Sequence, residues 1–75
     1  MKVVEVTWLD ARHRFGEVCE AEVKHEAGAP ITTVGYLLRR DKEFVVVAME
    51  ATEDGWRNVT SIPRAMVKNI RPIEK

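Results

Sequence analysis

Several things are scarce in this chain, and each scarcity excludes something. Cysteine occurs once, at Cys19, among 75 residues. A single thiol closes no internal disulfide, and its rarity predicts a reducing, cytoplasmic setting. Net charge is absent, with Lys and Arg totalling 12 against 12 for Asp and Glu. A neutral chain does not bind nucleic acid as a polyelectrolyte along its whole length. Long apolar runs are missing too, since nothing approaches the ~20 residues of a membrane span. Glu5 stands where a secretory signal needs its apolar region. Glycine totals only 4 and proline 3, and no Gly-rich phosphate loop follows a strand. The chain is too short for a second domain, so residues 1–75 read as a single one.

What is present is an ordinary globular composition, 45% hydrophobic and 32% charged. Size then poses a problem. Below ~70–80 residues a core seldom supplies more than a few kcal/mol, and small folds need staples or shared surface. With no disulfide framework, either the local structure is very regular or subunits share a surface.

Residues 2–9 alternate. Val4, Val6 and Trp8 fall on one face, and Val3, Glu5, Thr7 and Leu9 on the other, which predicts a strand. Between 14 and 26 the pattern changes. Phe15, Val18, Cys19 and Val23 stand at i, i+3, i+4 and i+8, one stripe of a helix, with strand alternation through Cys19, Ala21 and Val23 the competing reading. Gly28 and Pro30 stop it. Ile31–Leu38 and Phe44–Met49 read as a hairpin across the charged turn Arg39–Glu43. Glu53-Asp54-Gly55 is a further turn. Trp56–Ile62 is a fourth strand that Pro63 ends. Pro63–Met66 suits one 3₁₀ turn, and Val67–Ile73 is a fifth strand ending at Pro72 or just beyond.

The order predicts a mainly β fold, a five-stranded SH3-like (Sm-like) small barrel with one short helix inserted after the first strand. Closure, full or nearly full, would spare so short a chain long bare edges. The run Phe44–Met49 is apolar on both faces. Its outer face needs a cover, either the helix of residues 14–26 or another subunit.

Three short motifs punctuate this frame: Trp8-Leu9-Asp10-Ala11, Val34-Gly35-Tyr36-Leu37 and Ile62-Pro63-Arg64. Trp-x-Asp-Ala, then Val-Gly-Tyr-Leu, then Ile-Pro-Arg resembles the pattern of a family of small phage and prophage proteins. Those proteins look like Sm-like barrels, whose protomers often form rings that bind RNA. The resemblance implies a homo-oligomer, a ring among the forms expected, in the cytoplasm of a bacterial host. In Sm proteins the helix precedes the first strand, whereas here a strand precedes the helix. Their nucleic-acid loops correspond to Arg39–Glu43 and Ser61–Arg64 here, without the Sm signature residues.

Charge is unevenly placed. Residues 56–75 carry a balance of +4 and residues 1–55 the compensating −4. Arg39, Arg40, Lys42 and Arg64 are the candidate phosphate contacts, on single-stranded RNA or DNA. The plainer reading is a solvated surface, or basic and acidic patches paired between subunits. Trp56 follows the Asp54-Gly55 turn and is the candidate for stacking a base, a contact of ~1–3 kcal/mol. Trp8 and Tyr36 read as packing residues.

No cofactor and no metal are expected. His13, Cys19 and His25 are six apart, so on one helix they point about 120° from one another. No Cys-x-x-Cys spacing occurs, and Cys19 reads as a small apolar residue. Catalysis has little support. Glu22, His25 and Glu26 share a helix face but read as solvated. The acceptor-like triplet Asn58-Val59-Thr60 has no secretory context. The competing function is a protein-interaction module, a small phage factor that binds a host or virion protein. Neutral net charge suits that reading.

Overall fold

The computed structural model describes residues 2–12, 15–24 and 27–73. Its elements run β1 (Val3–Asp10), α1 (Glu20–Val23), β2 (Ala29–Arg40), β3 (Phe44–Ala51), β4 (Trp56–Pro63), a 3₁₀ turn (Arg64–Met66) and β5 (Val67–Pro72). The strands form one antiparallel sheet in the order β4-β3-β2-β1-β5. Each strand stands within two or three residues of its sequence expectation. No helix among the described residues is long and apolar enough to cross a membrane.

β4 and β5 are the two edges, and no ladder joins them. The connection between them is nevertheless short, with only Arg64–Met66 between Pro63 and Val67. In a flat sheet the outer two of five strands would stand about 19 Å apart, at ~4.8 Å per spacing. A 3₁₀ turn rises about 2 Å per residue and covers about 8 Å here. The sheet therefore has to roll. The core reflects this, because Val4 and Val6 of β1, Val45 and Val47 of β3 and Ile62 of β4 form one buried cluster. Val67 and Ile70 from the opposite edge pack against it, with Trp8 and Leu37. The fold is thus a rolled, open five-stranded sheet.

β2 is long because it serves two neighbours. Its first part pairs with β1, from Ala29↔Asp10 to Tyr36↔Val3. Its last part pairs with β3, from Tyr36↔Ala48 to Arg40↔Val45, with a register shift between Leu37 and Arg39. Gly35 sits where the two ladders meet. A Cβ there would lie 2.4 Å from the Ala48 carbonyl oxygen, so only glycine lets β3 approach this closely.

The helix is where the structure departs most from the sequence. A helix over 14–26 is expected, but only Glu20–Val23 is helical, with no buried residue. Positions 14, 25 and 26, like His13, lie outside the described residues. Gly16 has φ +85°, a left-handed backbone that no helix continues through. Phe15 is 92% exposed and Cys19 is exposed, so the stripe lacks the packed face from which most helices draw their stability. α1 does not cover β3 either. Tyr36 and Val59, the cross-strand neighbours of Ala48, flank the outer side of that strand instead.

Candidate nucleic-acid interface

Asp41 builds the β2–β3 turn. Its Oδ1 accepts from the backbone N–H groups of Glu43 at 2.8 Å and Phe44 at 2.9 Å. Its backbone N–H donates to the Phe44 carbonyl at 3.0 Å. Its Oδ2 accepts from Arg39 Nε. The Phe44 N–H, then Arg39 and the Glu43 N–H, hold the Asp41 carboxyl down at about 2. Arg39 is also placed over the Phe44 ring, 5.6 Å from its centroid. Its charge is thus turned toward the turn itself.

The 3₁₀ turn is tied to this turn through the backbone, Arg64 N–H donating to the Glu43 carbonyl at 2.8 Å. The tie brings two distant stretches of sequence together. Arg40, Asp41, Lys42 and Arg64 line one open concavity of about 450 Å³. Arg64 Nη1 itself is buried without a hydrogen-bond acceptor. Buried donors are nearly always paired, and an unpaired one costs about 1–3 kcal/mol or more when charged. Three cations around one open hollow suit an oxyanion.

Of the residues the sequence singles out, Arg40, Lys42 and Arg64 come together. Arg39 adjoins them but is engaged by Asp41 and Phe44. Trp56 is elsewhere. It opens β4 opposite Ala51, whereas Pro63 at the far end lies opposite Phe44. Seven strand steps separate Trp56 from Pro63, about 23 Å at ~3.3 Å each. The ring of Trp56 packs on Tyr36 instead, with centroids 5.5 Å apart at 49°. Trp8 donates from Nε1 to Thr33 Oγ1 at 3.0 Å while packing on the core, a structural role that matches the packing expected of it.

Two features were not visible in the sequence. One is the organising part of Asp41, for which the turn-forming preference of Asp was the available signal. The other is an apolar groove at the root of the arm between β1 and β2, for which linear sequence carried no signal. Among the described residues no group of three His, Cys, Asp or Glu is placed to hold a metal ion. No family model matches the sequence, and no curated protein or solved structure matches it.

Proposed function

We propose that this chain is a non-catalytic, Sm-like nucleic-acid-binding protein of phage or prophage origin, acting on single-stranded RNA or DNA in the bacterial cytoplasm. The observation that carries the reading is the open hollow in which the fold brings Arg40 and Lys42 of one loop together with Arg64 of another. A phosphate seated there accepts from these side chains, and the three cations neutralise its charge. Arg39 orders the turn, and its contribution to binding is indirect. Trp56, with Tyr36, offers a stacking surface one strand length away, reached by a strand running from the basic hollow along the sheet. The rolled sheet is read as an SH3-like barrel that is not closed within one chain. Its bare β4 and β5 edges suit pairing between copies into a homo-oligomer, including a ring.

The test is a titration of fluorescent single-stranded RNA and DNA with wild type and with Arg40→Ala/Lys42→Ala/Arg64→Ala, at low and moderate salt. Micromolar binding that salt weakens steeply and the triple variant loses is the expected result. A folded wild type that binds neither strand at low salt overturns the reading.

A second reading, docking of a host or virion protein, is favoured by the exposed apolar side chains Val34, Met49, Trp56 and Val59. Binding held by apolar area changes little with salt, so the same salt series separates the two.

A further inference from the structure

The cations on β2, β3 and β4 are clustered rather than strung out. β2 carries its only cations, Arg39 and Arg40, at its last two positions. β3 has none, and β4 has Arg57 alone, whose guanidinium lies 3.6 Å from Glu50. A groove that tracks a nucleic-acid backbone needs cations spaced along it to follow successive phosphates. These three strands offer free cations only at one end, where Arg40 and Lys42 at the β2–β3 turn meet Arg64 of the 3₁₀ turn.

Asp41 is the one acid among the four residues that line the hollow. Its carboxylate already accepts from Arg39 Nε and from the backbone N–H groups of Glu43 and Phe44. It is thus offset by a cation outside the lining. No ion pair among the described residues engages Arg40, Lys42 or Arg64. The hollow therefore gathers three uncompensated positive side chains around about 450 Å³.

The kind of phosphate that suits this cluster follows from charge and oxygen count. An internal phosphodiester carries a single negative charge and two non-bridging oxygens. A terminal phosphate monoester carries about −1.5 to −2 at pH 7 and presents three acceptor oxygens. Three cationic donors around one hollow exceed what a diester neutralises and match the monoester in number of oxygens.

We propose that the hollow takes a terminal phosphate monoester of a single-stranded nucleic acid, so that the protein holds its strand by an end. This rests on the nucleic-acid reading above and adds the group that is recognised. The end phosphate is the charged anchor. The rest of the strand is held by contacts other than phosphate neutralisation, such as stacking on Trp56 and Tyr36.

Short single strands of RNA and DNA with an internal fluorophore, titrated with the full chain at low salt, test it. Each strand carries a 5′ phosphate, a 3′ phosphate or hydroxyls at both ends. A phosphate at one end is expected to tighten binding about tenfold over the hydroxyl form, the worth of a charge-assisted contact. That gain should grow between about pH 5 and 7, as the monoester takes its second charge near ~6. Arg40→Ala/Lys42→Ala, at two exposed positions, should lose the gain while keeping the wild-type circular dichroism spectrum. Equal affinity for all three kinds of end overturns this inference and leaves the nucleic-acid reading standing. So does a gain that the double variant keeps, which moves end recognition away from the hollow. Binding of no strand in any form overturns both. A nucleoside monophosphate that competes as strongly as a phosphorylated strand assigns the hollow to the free nucleotide and overturns the strand end as its ligand.

Discussion

Asp41 shows how much one side chain can organise. It is exposed, yet three donors converge on its carboxylate and hold its pKa at about 2. A carboxyl whose pKa falls on folding favours the folded turn above its ordinary value, and that preference fades as pH drops from about 4 toward 2. The amide resonances of Glu43 and Phe44 should therefore titrate with a midpoint near 2 in a pH series, and Asp41→Asn should remove the transition. A midpoint near ~4 would show that the carboxylate is not held as described. Gly35 makes the opposite kind of demand, for an atom that is absent. Gly35→Ala places a Cβ 2.4 Å from the Ala48 carbonyl oxygen, and the obstacle is backbone rather than a yielding side-chain tip. A loss of about 1–3 kcal/mol is expected, read as a lower denaturant midpoint with an unchanged slope. An unaltered midpoint would mean that β2 and β3 separate there without cost.

At the scale of elements, strands and helix draw on different sources of stability. Each strand is held on at least one side by a ladder, and β1, β3 and β4 supply all the fully buried side chains of the core cluster. α1 has four residues and none buried, so its own propensity is nearly all it has, and isolated helices this short are not stable in water. Native-state hydrogen exchange should separate the two. The amides of Val6, Val45 and Val47 should exchange at the global opening rate, and those of Glu22 and Val23 close to the unprotected rate. The same contrast explains what was legible. β-branched alternation and turn residues are local signals, and all five strands followed from them. The stripe Phe15, Val18, Cys19 and Val23 is equally regular, but a stripe becomes a helix only when something covers it. The sequence could not report that Gly16 stands at φ +85° or that β3 finds its cover in Tyr36 and Val59.

The whole molecule is marginal by the measure of its core. Five side chains form the buried cluster in a chain whose expected stability is about 4–11 kcal/mol. Association of copies adds stability by mass action, about 2.7 kcal/mol for a ligand present at a hundred times its dissociation constant. A thermal melt should therefore shift upward by several degrees when the protein concentration is raised a hundredfold. A midpoint independent of concentration would mean that one rolled sheet is sufficient by itself.

What the sequence determined alone are the strands, their order and the turns between them, because each rests on neighbours in the chain. It also determined which basic residues stood in the two loops. Tertiary structure decided the rest. Register placed Trp56 at the opposite end of β4 from Pro63, a strand length from the cations it was grouped with. The Asp41 carboxylate drew Arg39 away from the hollow that Arg40 and Lys42 share with Arg64. The three-residue link from β4 to β5 set the roll of the sheet. Distances across a sheet and the partner a charge selects depend on residues far apart in sequence. Only the folded chain brings them within reach of one another.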